Sequence, residues 1–286
     1  MTDPVCSGGV LGPSDLLDLL SRGEIEVRGR LVNASNATLY AVVELDGVQG
    51  RCVYKPVVGE RPLWDFPTHT LARREVAAFV LSDRLGWDVV PPTVLRDGPF
   101  GEGSVQWWVG NGGVDPDGDP VGGDPGAGLI DIVPPAHVPP GWLQVLKAEG
   151  YDGSPVCLVH ADDPGLRRMS VFDVVANNAD RKGGHVLRDV GGGVRGVDHG
   201  LTFNLEDKVR TVLWGWGGRK LPAEVEGDLR RLGADLDRRG ECDLALRRLL
   251  APAEVDRVAV RVRRLLDTGR HPRPGAGRHP IPWPPF

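Results

Sequence analysis

The sequence feature that most constrains the fold is a segment that can form neither a helix nor a central strand. Residues 111–128, NGGVDPDGDPVGGDPGAG, are almost entirely glycine, proline and aspartate. Because such a segment brings almost no apolar side chains to a core, we expect it to be a mobile excursion between two strands. Strand patterns dominate the chain before it and helix patterns dominate the chain after it, which predicts an α+β protein built as two lobes.

The chain before this segment is predicted to form an antiparallel sheet together with two helices. Pro13-Ser14-Asp15 followed by LLDLL predicts a short capped helix. A second helix is predicted over 71–85, where apolar residues recur at helical spacing and Gly86 provides the stop. Runs of β-branched and apolar residues separated by turn residues predict strands at 24–32, 38–45, 51–56, 104–109 and 129–133.

The composition changes at Pro134-Pro135, where we place the boundary between the lobes. The chain beyond it is predicted to be mainly helical, with a strand pair around a triple-glycine turn. The last segment, 271–286, is too rich in proline for a helix and is expected to be an exposed tail with Trp283 and Phe286 as packing anchors. The predicted organisation is an N-terminal extension (1–23), an N-lobe (24–135), a C-lobe (136–270) and the tail (271–286).

Composition and charge exclude several classes of function. The 286 residues include 34 Lys and Arg against 39 Asp and Glu, a net charge of −5, so no basic field attracts nucleic acid. The four cysteines are far apart, which suggests neither a disulfide framework nor a zinc site. The chain shows no signal peptide and no apolar run of about 18 residues that could span a membrane. We therefore expect a cytoplasmic protein.

One lysine occupies a position that suggests phosphate binding. Lys55 ends a predicted strand, CVYKP, and Glu75 lies twenty positions later on the predicted helix 71–85. In kinase chemistry such a lysine holds the α- and β-phosphates of ATP and is itself held by a glutamate of that helix. Each residue alone could equally be a lysine at a strand edge and a glutamate on a solvated helix face.

A second cluster of polar residues meets the remaining needs of phosphoryl transfer. In NNADRKGGHVL, Asp180 is followed by Lys182 and His185, and RGVDHGL then presents Asp198. Transfer requires a carboxylate to orient the acceptor hydroxyl, a cation to offset charge on the moving phosphoryl group, and metal ligands at the phosphates. We assign the first role to Asp180, the second to Lys182, and the metal to Asp198 with His185. In isolation each motif could be an ordinary polar turn.

The remaining site candidates rest on weaker patterns. The turn Asn33-Ala34-Ser35-Asn36-Ala37 has no GxGxxG, although Ser35 and Asn36 could cap phosphates. Asp131 to Val133 would offer backbone groups to adenine, with Trp108 packed behind. After the second cluster, Trp214 and Trp216 could form an exposed aromatic rim for an acceptor or a protein partner, or could pack locally.

Four segments give the chain a family resemblance. They are VYKP, REVAAFVLSDRLGWDVVPPT, NNADRKGGHVL and GVDHGLTF, which together span about 53–203. The chain resembles the phosphatidylinositol 3-/4-kinase-like superfamily, most closely its type II 4-kinase branch and the HipA-type kinases, and looks like an actinobacterial member. The resemblance implies a two-lobed kinase-like fold, ATP with Mg²⁺ or Mn²⁺, and an alcohol acceptor. It matches Asp180 to the catalytic aspartate, Asn178 to the polar residue before it, and Asp198 to the metal-binding aspartate.

One position departs from the family pattern. The family usually has asparagine five residues after the catalytic aspartate, and this chain has His185. Imidazole is a poorer ligand than an amide oxygen for magnesium and a better one for manganese. The main hypothesis is an ATP-dependent kinase whose acceptor is a protein, a lipid or a small molecule. The alternative is a nucleotide-binding pseudokinase or scaffold that has kept the fold without catalysis.

Overall fold

The α+β class is confirmed by a computed structural model, which describes residues 5–6, 9–10, 12–31, 36–110, 128–275 and 279–286. All but the last residue of the predicted excursion lies outside the described residues. The helices are α1 (Pro13–Arg22), α2 (Leu71–Leu85), α3 (Pro164–Ala176), α4 (Ala223–Asp237), α5 (Glu241–Arg247) and α6 (Pro252–Thr268). The strands are β1 (Val5–Cys6), β2 (Gly9–Val10), β3 (Glu24–Arg30), β4 (Leu39–Leu45), β5 (Val48–Pro56), β6 (Thr93–Gly98), β7 (Gly101–Trp107), β8 (Ile130–Val133), β9 (Leu143–Glu149), β10 (Pro155–His160), β11 (Val186–Arg188) and β12 (Val194–Gly196).

The N-lobe is a five-stranded antiparallel sheet with the strand order β3-β4-β5-β7-β6. Burial alternates along β5, so that Cys52 and Tyr54 are fully buried whereas Lys55 is partly exposed. This is the period-two pattern expected of a strand that separates a core from a cleft. The meander predicted for β3 to β5 is confirmed. Strand β6 was not predicted, because its sequence TVLRDG is short and half polar.

Helix α1 covers one face of this sheet. Leu16, Leu19 and Leu20 are buried in one apolar cluster with residues of β3, β4, β5 and β7. The segment predicted as an N-terminal extension therefore contributes to the core of the N-lobe. The predicted side-chain cap is absent at this helix, which begins at Pro13 with Gly12 at the capping position. Proline suits the first helical position because the amide it lacks would have had no partner there.

Helix α2 has the bounds that the sequence predicts, and Gly86 ends it in the left-handed conformation with φ 67°. Its buried residues Ala77, Ala78, Leu81 and Leu85 do not join the apolar cluster under α1. They belong instead to the large apolar cluster that includes α3, α4, α5 and α6. The helix that carries Glu75 is therefore packed into the core of the C-lobe.

The C-lobe is mainly helical, as predicted, but it opens with a sheet of which the sequence analysis predicted only one strand, 129–133, and placed that strand in the N-lobe. Strands β8, β10 and β9 form a three-stranded antiparallel sheet in that order. Strand β9 escaped prediction because LQVLKAE mixes exposed charges with apolar residues and shows no clean alternation. No helix among the described residues is long and apolar enough to cross a membrane.

A buried ion pair ties α2 to α6. The Arg74 guanidinium, 1% exposed, donates to Glu254 Oε1 at 2.5 Å and to the carbonyl oxygen of Thr202 at 2.7 Å. The ring of Phe66 lies 5.1 Å from the guanidinium carbon. Because removal of either charge would leave the other buried and uncompensated, this pair resists separation of α2 from the C-lobe.

We predict that Glu254→Gln lowers the free energy of unfolding by about 3–5 kcal/mol, because it leaves Arg74 buried without its counter-charge. The matched control is Glu102→Gln. Its partner Arg73 lies 3.0 Å away in a half-exposed pair, and the expected loss is below about 1 kcal/mol. Urea denaturation at pH 7 measures both. Equal losses in the two variants would contradict the importance given to the buried pair.

Candidate active site

Three charged side chains from distant parts of the chain meet in the cleft. Lys55 Nζ lies 2.5 Å from Glu75 Oε1 and 2.7 Å from Asp198 Oδ1. Burial opposes the charge on Lys55, but the attraction of Asp198 and Glu75 outweighs it and raises the pKa of the lysine above its usual value. Lys55 is therefore protonated at neutral pH and is held from both sides by acids.

Asp198 follows β12 and presents its carboxylate to the cleft. Its backbone is left-handed, with φ 59°, a conformation that aspartate tolerates better than most residues. The positive charge of Lys55 lowers the pKa of Asp198 well below its usual range, so the carboxylate is ionised. The backbone N–H of the next residue, His199, donates to Glu75 Oε2 at 2.8 Å. Both oxygens of Glu75 are thereby used to fix Lys55 and the Asp198 segment.

His185 and Asp198 form an arrangement that suits a divalent metal ion. His185 Nε2 lies 3.4 Å from Asp198 Oδ2, while its Nδ1 lies 3.0 Å from the carbonyl oxygen of Asp180. Since a carbonyl only accepts, Nδ1 carries the proton and Nε2 presents its lone pair. Burial lowers the pKa of His185 to about 4, which keeps the ring neutral. Two ligands at about 2.1 Å from one ion and at right angles are about 3 Å apart, close to the observed spacing.

The rest of the metal's coordination has to come from elsewhere. Among the residues that the structure describes, no group of three or more His, Cys, Asp or Glu could hold a metal. Magnesium and manganese at phosphate sites are commonly held by one or two protein ligands, with phosphate oxygens and water completing the shell. The pair His185 and Asp198 fits that mode of binding.

Asp180 lies beside Lys182 in the catalytic loop, which we define as residues 178–185. Lys182 Nζ is 3.5 Å from Asp180 Oδ2. Burial raises the pKa of Asp180 to about 6, and the nearby Lys182 only partly offsets this. The Asn178 side-chain oxygen accepts from the Asp180 backbone N–H at 2.9 Å, and its Nδ2 donates to Asp173 at 3.0 Å. The aspartate is thus held in position, and it is mostly ionised at neutral pH although its pKa is raised.

Arg181 is a central residue of the site that the sequence analysis missed. It is fully buried and donates to the Asp173 carboxylate at 3.0 Å, to His199 Nε2 at 2.6 Å and to the carbonyl of Val197 at 3.1 Å. It therefore joins the catalytic loop to the Asp198 segment. A β-carbon at Gly196 would lie 2.9 Å from the guanidinium, so the absence of a side chain there makes room for it. An acid within the apolar run MSVFDVVA was the available signal that a buried cation lies nearby.

The cleft beside Lys55 opens into a solvent-connected cavity of about 430 Å³. Glu60, another residue that was missed, lies on its wall and accepts from the backbone N–H groups of Leu71 and Ala72 at 3.2 and 2.8 Å. It satisfies donors at the N-terminus of α2 that the local sequence leaves open. The lining residues are Asn36, Ala37, Thr38, Lys55, Pro56, Glu60, Leu71, Ala72, Glu75, Asp198 and Gly200.

The candidates for the nucleotide loop have different outcomes. Ser35 lies outside the described residues. Asn36 lines the cavity, but its side-chain oxygen accepts from the Arg61 backbone N–H at 2.9 Å and so holds the segment between β5 and α2. That oxygen could not in any case bind phosphate oxygens, which are themselves acceptors.

The sequence analysis assigned adenine binding to the backbone of the segment between Asp131 and Val133. Both lie on β8, where they pair with Val159 and Cys157 of β10. The strand that leaves the N-lobe sheet is β7, and it continues into 108–110, where the Trp108 N–H donates to the carbonyl of Arg51. The segment 108–110, rather than β8, therefore follows directly from the sheet that carries Lys55.

The sequence left two alternatives open for Trp214 and Trp216, an exposed rim or local packing, and the structure shows local packing. Trp216 is fully buried, stacks near His160 and donates from Nε1 to Asp162 at 2.8 Å. Trp214 is partly buried and donates from Nε1 to the carbonyl of Pro280 at 2.9 Å. The two rings pack locally because each indole N–H finds an acceptor within the C-lobe.

Comparisons with known proteins identify a relative of similar sequence and several weakly similar solved structures. No model of a known protein family matches the chain. Protein Rv2133c of Mycobacterium tuberculosis is 49% identical over 269 residues, which cover 94% of each chain. The crystal structure of the Golgi casein kinase is similar with a TM-score of 0.46 and 12% identity, over 89% of this chain and 75% of that one. The crystal structure of the Helicobacter pylori proinflammatory kinase CtkA is similar with a TM-score of 0.42 and 10% sequence identity. The match covers 88% of this chain and 94% of that one.

We predict that Asp180→Asn stabilises the protein at neutral pH when nucleotide and metal are absent. The folded-state pKa is raised from 3.8 to about 6, so the ionised carboxylate opposes folding above that pH. The free energy of unfolding of the variant should exceed that of the parent by about 1–3 kcal/mol at pH 8. At pH 4 the excess should fall below about 1 kcal/mol, because Asp180 is then protonated in the folded state and about half ionised in the unfolded state. Urea denaturation at both pH values measures this, with the exposed Asp267→Asn as control. A gain of equal size at pH 4 would contradict the assigned cause.

Proposed function

We propose that this chain, which belongs to the same family as protein Rv2133c of Mycobacterium tuberculosis, is a kinase that transfers the γ-phosphate of ATP to an alcohol group. The observation that carries the proposal is the position of Lys55, held at 2.5 Å by Glu75 from α2 and at 2.7 Å by Asp198 from the opposite wall of the cleft. A triphosphate with its metal requires this combination of one cation and two acids.

The roles of the residues follow from their surroundings. Lys55 would exchange part of its contact with Asp198 for the α- and β-phosphates of ATP, while Glu75 keeps it in place. Asp198 and His185 would hold Mg²⁺ or Mn²⁺, which when bound neutralises charge on the phosphates. ATP is held between these groups in the cavity, and the backbone of 108–110 is the segment that we propose for adenine binding.

Asp180 would accept the proton of the acceptor hydroxyl as the oxygen attacks the γ-phosphorus. Its pKa of about 6 is about one unit below pH 7, so the carboxyl is mostly ionised and is a stronger base than an ordinary aspartate. Lys182, 3.5 Å from Asp180, would offset the charge on the phosphoryl group during transfer. These two residues stand on one short loop, so the base and the cation keep a fixed separation.

We further propose membership of the phosphatidylinositol 3-/4-kinase-like superfamily, from the motifs VYKP, NNADRKGGHVL and GVDHGLTF. The superfamily name does not decide the acceptor, because fold and motifs constrain the phosphate donor more than the molecule that receives the phosphate. A protein, a lipid or a small molecule with an alcohol group would each satisfy the geometry around Asp180.

We predict that Asp180→Asn binds ATP with Mn²⁺ as the parent does but loses turnover by about 10²- to 10⁴-fold, since only the proton acceptor is removed. Lys55→Met should weaken ATP binding as well. Calorimetry measures binding, and release or transfer of radiolabelled γ-phosphate measures turnover. Lys147→Met, on the exposed side of β9, is the control and should match the parent.

Two outcomes would contradict this proposal. If Asp180→Asn turned over ATP as fast as the parent, Asp180 would not be the base. If the parent bound ATP but transferred no phosphate to itself, to water or to added alcohols with either metal, the scaffold alternative would replace the kinase.

We predict that His185→Asn changes the metal preference. An amide oxygen suits magnesium better than an imidazole nitrogen does, so the ratio of turnover with Mg²⁺ to turnover with Mn²⁺ should rise about tenfold. His137→Asn, on an exposed turn after β8, is the control and should leave the ratio unchanged. An unchanged ratio in His185→Asn would show that the imidazole does not contact the ion.

A further inference from the structure

The proline-rich tail lies along the catalytic loop and is not an isolated exposed segment. The Gly183 backbone N–H donates to the carbonyl of Pro285 at 2.8 Å. The ring of Phe286 covers the same glycine so closely that a β-carbon at position 183 would overlap it. Gly183 is three residues from Asp180 and two from His185, so this contact falls within the proposed catalytic machinery.

A second contact fixes the tail on the other flank of the loop. The carbonyl of Pro280 accepts from the Thr211 backbone N–H at 3.0 Å and from Trp214 Nε1 at 2.9 Å. Thr211 itself borders the loop, because the Arg181 N–H donates to the carbonyl of Arg210 and the Val212 N–H donates to the carbonyl of Arg181. The loop therefore lies between the 210–212 segment and the tail.

The loop needs such a support because of its sequence. Lys182 and His185 are separated by Gly183-Gly184, and glycine has more backbone freedom to lose on ordering than any other residue. A β-carbon at Gly184 would meet nothing within 4 Å, so no packing at that position restricts the loop. Gly183 is hydrogen-bonded to Pro285 and covered by Phe286, so the tail restricts the loop at this residue.

We infer that Phe286 is a positioning residue: with Pro285 it holds Gly183, and through it sets the places of Lys182 and His185 relative to Asp180. The expected change in kcat rests on the proposed kinase function, whereas the expected change in hydrogen exchange at Gly183 does not. The tail could instead be a strap that blocks access of the acceptor. In that case the removal of Phe286 would raise kcat, whereas a positioning role predicts that kcat falls.

The test compares Phe286→Ala and the conservative Phe286→Leu with the control Trp283→Ala, whose side chain is 82% exposed. Hydrogen exchange over 181–186 is measured together with ATP turnover in Mn²⁺. We expect Phe286→Ala to speed exchange at Gly183 by at least about tenfold and to lower kcat by about 10- to 100-fold, since small displacements of reacting groups are costly. KM for ATP should change less than kcat, because Lys55 and Asp198 stand on other elements and His185 alone of the groups assigned to the phosphates and the metal lies on the loop. Phe286→Leu and Trp283→Ala should stay near the parent.

A rise in kcat for Phe286→Ala would overturn the inference in favour of a blocking strap, and an unchanged exchange rate at Gly183 would overturn it outright. Should Phe286→Ala fail to fold, Gly183→Ala displaces the ring from the other side. Its matched partner Gly184→Ala, which has open space around the added methyl, should keep the amide protection of the parent. If the parent shows no turnover, the kinase proposal fails, whereas the exchange rates still decide whether the tail holds the loop.

Discussion

The rest of the structure depends on one cation held between two acids. Lys55 comes from the sheet, Glu75 from α2 and Asp198 from the segment after β12, and Lys55 contacts both acids. Glu75 uses its second oxygen to accept from the His199 backbone, so the position of α2 and that of the Asp198 segment are coupled. A displacement of α2 would break both contacts of Glu75 together, which makes the place of this helix a condition for the arrangement of the cleft.

The fold meets that condition by packing α2 into the C-lobe. Its apolar residues share a core with α3 to α6, and Arg74 adds a buried pair with Glu254 of α6. Separating helix and lobe would expose apolar surface and leave two charges unpaired, at a cost of several kcal/mol. The Lys55–Glu75 pair is consequently assembled before any ligand arrives, and substrate binding has no need to rotate the helix.

The sequence predicts the parts of this arrangement that obey local periodicity. Helix α2 shows its apolar spacing and its glycine stop, and β5 shows its alternation, so Lys55 and Glu75 could be placed on facing elements. Arg181 could not be placed, because its partners Asp173 and His199 are set by tertiary contacts that no spacing encodes. The tail was predicted to be exposed with Trp283 and Phe286 as packing anchors, and Phe286 does pack against Gly183 while staying half-exposed, whereas Trp283 is 82% exposed. Proline content indicates only the absence of helix and strand, so it could not predict that Phe286 contacts the catalytic loop.

The catalytic loop shows why a segment with two adjacent glycines has so many contacts to other parts of the chain. Asp180 needs a fixed position, yet His185 has to turn back so that its Nδ1 reaches the carbonyl of Asp180, and the two glycines between them allow that turn. The freedom that permits the turn would also disorder the loop. Asn178 fixes the start of the loop by accepting from the Asp180 backbone, and Arg181 fixes its middle by donating to Asp173. The tail fixes the glycine pair, because the Pro285 carbonyl accepts from the Gly183 N–H. The burial that results raises the pKa of Asp180, so the same contacts that hold this carboxyl in position also make it more basic.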